Sequence, residues 1–280
     1  MNDGLIKLRE HVRRDKPKAL RKDFQFREPL RHGWMLPYLF PLETMAWGRW
    51  DYLAEAILNQ QLPNRQIPQI EWSPEHGDSS PGRKMFEKSL DCITRSGDWR
   101  GWSGWTYFDY FLDWLLYAFG DSRQTTLPTI SAECEGASER LYQIFNLEPA
   151  IAYPHDYLGD ILAENNFGRR SGFFPTPMEV AATMVKLQME ETGEDMRAKS
   201  VCDPALGTGR MLLAASNYSM NLYGNDVSLT VIKACLVNGY LYAPWMVRHP
   251  KFLTRQSEPA PTIEPNVQPP TTTEKQLELL

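Results

Sequence analysis

The stretch Lys199-Ser-Val-Cys-Asp-Pro-Ala-Leu-Gly-Thr-Gly-Arg-Met-Leu-Leu-Ala-Ala-Ser216 decides the fold. A short β-prone run, Ser200 to Cys202, ends in an acid, Asp203. Pro204, a small residue and Gly207-Thr208-Gly209 follow, and then Met211, Leu212, Leu213, Ala214 and Ala215 read as a helix. The order is strand, glycine-rich turn, helix. Glycines let a backbone turn tightly and approach a ligand closely. A helix beginning near Gly209 offers unpaired N–H groups and the positive end of its dipole, which suit a carboxylate. Asp203 can accept a hydrogen bond from an ammonium group. The turn therefore suits a small anionic or zwitterionic ligand.

Working outward, Asn221-Leu-Tyr-Gly-Asn-Asp-Val-Ser228 reads as a second short strand ending in Asp226, 23 residues after Asp203. In nucleotide-binding sheets an acid at this place, about twenty residues beyond the glycine loop, binds ribose hydroxyls. Asp226 alone would also serve as a turn acid or N-cap before a helix over Leu229 to Tyr242. In tandem with the glycine turn, the ribose role is favoured. The dinucleotide fingerprint G-x-G-x-x-G needs a third glycine, and Leu212 stands at that place. This argues against a nicotinamide dinucleotide and towards S-adenosylmethionine (SAM), whose methionine end carries both charges.

Upstream lies Arg169-Arg-Ser-Gly-Phe-Phe-Pro-Thr-Pro-Met-Glu-Val180. Thr176 suits an N-cap, Pro177 a first helical position and Glu179 a capping box, so a helix is expected from Met178 to Glu191. Gly172-Phe-Phe-Pro-Thr-Pro177, Asp203-Pro-Ala-Leu-Gly-Thr-Gly209 and Gly224-Asn-Asp226, in this order, resemble the gamma-type adenine-N6 DNA methyltransferases, above all the modification subunit of type I restriction systems. Asp156-Tyr-Leu-Gly-Asp160 and the stretch from Asn238 to Trp245 share the family's flavour. The resemblance covers the region from about Asp156 to Trp245. It implies that Phe174 and Thr176 contact the cofactor's methionine end, that Asp203, Ala205, Gly207, Thr208 and Gly209 cradle it, and that Asp226 holds the ribose. Leu206 stands where the family usually has Cys.

The larger departure is an absence. These enzymes carry an Asn/Asp-Pro-Pro-Tyr/Phe motif at the end of a later strand. The N6 amino group of adenine is a poor nucleophile because its lone pair is delocalised into the ring. A polar side chain and a backbone carbonyl accept its two N–H bonds, and the aromatic residue stacks on the flipped base. Asn266-Val-Gln-Pro-Pro270 is the nearest candidate, but Thr271 replaces the aromatic and no apolar strand precedes it. The catalytic residues are therefore unknown, and the domain reads as truncated before this motif. Two strands alone are also marginal as a sheet.

The rest of the chain bounds the reading. Its 280 residues, 42 % of them hydrophobic, suffice for a sizeable core, and a net charge of −5 excludes a uniformly basic nucleic-acid coat. Residues 1–150 are expected to form a helical N-terminal domain, 151–248 a partial methyltransferase domain and 249–280 a disordered, Pro-rich tail. Met1 to His32 is rich in Lys and Arg; it reads as a solvated amphipathic helix or frayed terminus ahead of a phosphate contact. Helices are expected over Leu42 to Gln61, Ser103 to Gly120, Ala137 to Leu147 and Asp156 to Asn165, with an irregular stretch from Gln66 to Pro81. Trp99, Trp102, Trp105 and Trp114 could stack on bases, but core packing is the better reading. Cys92, Cys134, Cys202 and Cys235 show no metal spacing, so free thiols and no metal site are expected. No signal peptide or membrane span is expected, which suits the cytoplasm.

The fold class expected is mixed α/β, mostly helical, with a helical N-terminal domain and a partial Rossmann-like SAM-binding domain. The function expected is that of a SAM-dependent DNA adenine-N6 methyltransferase-like protein of a restriction-modification type. Its expected partners are DNA and a second methyltransferase or specificity subunit supplying the catalytic motif. The alternative is a catalytically inactive SAM-binding or DNA-binding accessory module. A decayed gene product, and a methyltransferase of small molecules, RNA or protein, are weaker readings.

Overall fold

A computed structural model of the chain describes residues 3–14, 31–73, 80–97, 99, 104–165, 173–190 and 193–254. Lys16, Lys18, Arg21, Lys22 and Arg27 of the N-terminal segment, the Pro-rich tail from 255 onward, Trp102, Gly172 and Glu191 lie outside the described residues. The described elements are mostly helical. They run α1 (Asp3–Arg14), α2 (Leu36–Ala46), α3 (Arg49–Asn59), α4 (Pro81–Asp91), α5 (Gly104–Ala118), α6 (Ala137–Ile144), α7 (Glu148–Ala152), α8 (Tyr157–Glu164) and α9 (Met178–Glu190). Then follow β1 (Ser200–Asp203), α10 (Arg210–Ala215), β2 (Asn221–Gly224), α11 (Leu229–Tyr242) and α12 (Lys251–Thr254).

Among the described residues β1 and β2 form the whole sheet. They pair in parallel, with Ser200 opposite Asn221 and Asp203 opposite Gly224. Parallel strands need a crossover, which α10 supplies. Parallel sheets are normally covered on both faces, yet Ser200 and Cys202 are exposed and so is Tyr223 beside them. Among the described residues there is no larger doubly wound sheet; there the mixed α/β expectation reduces to a helical assembly with one two-stranded ribbon.

One apolar core runs through the described chain, from Leu5 on α1 to Leu253 on α12. Trp99 and Trp114 are fully buried in it. Trp114 sits 5.9 Å from Phe145 and donates to Ser138 Oγ at 3.0 Å, and Trp105 packs against the same core. These three tryptophans therefore serve packing rather than base stacking. α1 is amphipathic, as expected: Leu5 and Leu8 are buried, and Arg9 donates to the Ala152 carbonyl at 2.7 Å. That guanidinium is used to dock α1 on α7.

The helix expected over Leu42 to Gln61 is two helices. Gly48 takes φ +78°, a left-handed turn that favours glycine, and the chain restarts at Arg49. The Glu43 carboxylate then caps α3, accepting the Arg49 N–H at 2.5 Å and the Trp50 N–H at 3.1 Å. α3 ends at Asn59 before Pro63, where Gln60 takes φ +52°. α4 starts with Pro81 at its first position, so the irregular stretch ends where that helix begins. α4 and α7 escape a reading by apolar period. The α4 segment holds Arg83 and Ser89 among its buried residues, and α7 has only five residues.

Arg49 ties these helices to the sheet region. It is fully buried. Its Nε donates to the Pro68 carbonyl at 2.7 Å, and one terminal nitrogen donates to Ser216 Oγ and the Tyr242 carbonyl, each at 2.8 Å. The other terminal nitrogen reaches Asn217 Oδ1, and the guanidinium lies over the Trp245 ring. Ser216 and Asn217 follow α10, and Tyr242 ends α11. On the opposite flank Lys233 of α11 pairs with Asp109 at 2.8 Å and Asp113 at 2.9 Å, the two α5 acids spaced four apart.

Burial pushes the Glu43 carboxyl up to about 7, against the lowering pull of its two N–H donors and of Arg49. A carboxyl held above its unfolded value stabilises the fold fully below that value, and loses the contribution as pH rises through the folded one. Glu43→Gln removes this titration. The stability of wild type relative to Glu43→Gln should fall by about 2 kcal/mol between pH 4.5 and pH 8, read by urea unfolding at each pH. A difference independent of pH would contradict this account.

Candidate functional site

The glycine turn begins where β1 ends. The Asp203 carboxylate accepts the Ala205 N–H at 3.0 Å, an Asx turn that bends the chain back. Leu206 N–H donates to the Asn225 carbonyl at 3.0 Å, and Asn225 N–H to the Asp203 carbonyl at 3.1 Å, so the two strand ends are laced together. Gly207 N–H donates to Asp226 Oδ2 at 2.9 Å, while Asp226 Oδ1 accepts the Ser228 N–H at 2.9 Å. Asp226 thus acts as a turn acid before α11 and also reaches the glycine turn.

Gly207 and Gly209 have φ of +55° and +93°. At Gly207 an added Cβ would stand 3.1 Å from the Phe173 ring. At Gly209 it would stand 2.6 Å from the Cys235 sulfur. The first helical bond of α10 runs from Leu213 N–H to the Gly209 carbonyl at 2.7 Å. The N–H groups of Arg210, Met211 and Leu212 precede it, in the place where helices leave donors unpaired.

A cleft of about 320 Å³ opens beside this turn. It falls at the small end of the range usual for ligand sites. Asp203 and Asp226 both line it, one at the end of each strand. Ala205, Gly207 and Thr208 line its floor side, and Phe174 and Thr176 the segment before α9. Gly209 does not line it; it is the N-cap of α10 and packs against Cys235. Phe174 is 80 % exposed, whereas its neighbour Phe173 lies against Gly207 and packs on the core. Phe173 is thus a lining residue missed by sequence reading, as are Val227, which is 99 % exposed, and Val231. The Thr176 carbonyl accepts a bond from Arg210 at 3.1 Å, and α9's first helical bond goes to the Pro177 carbonyl, one residue later than the expected cap.

Behind the turn lies a buried ionic cluster. Asp156, the N-cap of α8, is fully buried. Its Oδ1 accepts from Gly159 N–H at 2.9 Å and Asn238 Nδ2 at 2.8 Å. Its Oδ2 accepts from Thr208 Oγ1 at 2.5 Å and Arg210 Nε at 2.7 Å. Arg210 also meets Asp160 at 2.6 Å, and Asp160 meets His155 at 2.8 Å. Burial alone would raise the Asp160 carboxyl, but His155 and Arg210 hold it below its ordinary value. Burial would likewise lower Arg210, and Asp156 and Asp160 hold it above. Asp160 and Arg210 therefore stay ionised. The helix that Asp156 opens is expected from the sequence; the partnership of Asp156 with Arg210, 54 residues on, is not.

The chemistry on offer is clear. Each Asp226 oxygen holds one N–H and keeps a lone pair, enough for two adjacent hydroxyls. The Asp203 carboxylate faces the same cleft and suits a cation. Residues 155–243 match the family profile described as N-6 DNA Methylase. This segment is similar to that family, and the match covers less than half of the chain. No curated protein and no solved structure matches the chain. The methylase segment contains both cleft carboxylates, the glycine turn and the whole Asp156 cluster. Arg49, Asp109 and Asp113 support it from outside. No helix among the described residues is long and apolar enough to cross a membrane.

Gly209→Ala tests the turn. It would force a side chain into the left-handed region and against the buried Cys235 sulfur. We expect a loss of at least about 2 kcal/mol in urea unfolding. Gly193→Ala is also left-handed but has open space around it, and should cost about 1 kcal/mol. Equal losses for the two would show that Gly209 needs no close packing.

Proposed function

We propose that the cleft of the methylase segment binds SAM, and that the protein works in adenine-N6 methylation of DNA, within a restriction-modification type of system. The observation that carries the reading is the placement of Asp203 and Asp226 in one cleft, across a glycine turn. The residues present fit the cofactor. Asp226 has acceptors left for the two ribose hydroxyls. Asp203 meets the ammonium group, and the open donors of α10's first turn favour the carboxylate. Phe173 and Phe174 give the cleft an apolar side. Bound SAM supplies an electrophilic methyl group. The chain's own task is to hold the cofactor's two ends and to leave its middle facing the open side. This arrangement is that of one part of a Rossmann-like domain, with the helices of residues 1–150 supporting it.

The sequence holds no Asn/Asp-Pro-Pro-Tyr/Phe motif to receive a flipped adenine. In this reading a partner polypeptide supplies that motif and the target recognition. The same absence favours a second reading, a SAM-binding or DNA-binding accessory module without turnover. Co-expression with candidate partners, followed by an adenine methylation assay on DNA, separates the two: methylation dependent on both chains supports the first.

SAM binding itself is tested by thermal unfolding. At a concentration a hundredfold above Kd, SAM should add about 2.7 kcal/mol. For a chain of this size that raises Tm by about 5 to 10 °C. Asp226→Asn, which keeps one acceptor, should retain part of the shift, and Asp226→Ala should lose most of it. No shift for wild type at millimolar SAM would sink the reading.

A further inference from the structure

We propose that Asp156 is the positioning residue of the glycine turn, setting the half of the cleft that receives the amino-acid end of the ligand. The inference rests on the SAM reading above. A carboxylate has four lone-pair sites, and four donors meet Asp156: Gly159, Asn238, Thr208 and Arg210. Two of them belong to the turn. Thr208 is held twice, because Asn238 Nδ2 also donates to the Thr208 carbonyl at 3.0 Å. Its hydroxyl and its carbonyl are both fixed from the core side. Arg210 carries the constraint onward to the carbonyl of Thr176, which also lines the cleft.

The approach has been made close. A Cβ on Gly159 would overlap both Asp156 Oδ2 and Thr208 Oγ1, so only glycine lets α8 come this near. Asp156 does not line the cleft, and is fully buried. It can act on a ligand only through Thr208 and Arg210. Asp226 constrains the same turn differently, from within the cleft and through Gly207. The turn is thus held by two carboxylates with separable tasks. Asp226 meets the sugar, while Asp156 orients the segment from Thr208 to Arg210 that faces the ligand's charged end.

The test uses the full chain, calorimetric titration and two probes. One is SAM; the other is 5′-deoxy-5′-methylthioadenosine, which shares base and sugar but lacks the carboxylate and ammonium. Thr208→Val removes the hydroxyl at nearly constant shape. It should weaken SAM about tenfold or more, the loss of one hydrogen bond to a charged group, and leave the truncated probe within about twofold. Thr208→Ser should restore SAM affinity. Asp226→Ala should weaken both probes. Hydrogen exchange over residues 205–210 should quicken about tenfold in Thr208→Val, with residues 221–224 unchanged. Asp156→Asn should repeat the pattern; Thr208→Val decides should that variant not fold. Equal loss of both probes in Thr208→Val, or unchanged affinity for both, overturns the positioning role. If wild type binds no SAM, the cofactor reading fails, and the exchange data alone judge whether Asp156 governs the turn.

Discussion

A carboxylate with no access to water, met by four donors, sets the terms for this structure. Asp156 draws together α8, the glycine turn and α11, three elements that share no local sequence relation. Removing a buried charge from water costs several kcal/mol and is offset only when every lone pair is filled. Here each is. The arrangement therefore tolerates little slack: a shift in any one of the three elements would leave part of a charge unsolvated. That intolerance gives a short helix of six residues, α10, a defined direction that its length alone could not provide.

A second buried guanidinium does for the scaffold what Arg210 does for the turn. Arg49 spends its donors on carbonyls and side chains at the far ends of α10 and α11. α10 is therefore anchored at both ends, at Arg210 by Asp156 and just beyond its last residue, at Ser216, by Arg49, while α11 meets both toward its C-terminal end, at Asn238 and Tyr242. Lys233, set between Asp109 and Asp113, adds a lateral tie to α5. Helices outside the methylase segment thereby stiffen it, which matters because a two-stranded ribbon has little rigidity of its own.

The parts legible in the sequence are those governed by near neighbours. β1, the glycine turn and α11 follow from β-propensity, glycine placement and apolar period, and α11 spans Leu229 to Tyr242 as read. The pairing of Asp203 with Asp226 in one cleft follows from their places at the ends of successive parallel strands. What escaped reading depends on distant contacts or on backbone geometry. Gly48 looks harmless within an apolar period, yet its left-handed turn splits one expected helix into two. Phe173 and Phe174 are indistinguishable by type, and only the packing on Gly207 shows which one turns inward. Gly209 belongs to the cofactor pattern in sequence, but its lack of a side chain serves Cys235.

The uneven exposure of the four cysteines has a practical consequence. Cys134 and Cys235 are buried and Cys92 is partly covered, with burial pushing its thiol up to about 12, whereas Cys202 lies open on β1. Thiolate, not thiol, reacts with alkylating dyes. Cys202 is thus a built-in attachment point for a fluorophore, one residue from Asp203 and needing no engineered background. A dye placed there would sit at the end of the strand that meets the cleft, and would turn events at the cleft into a change in emission.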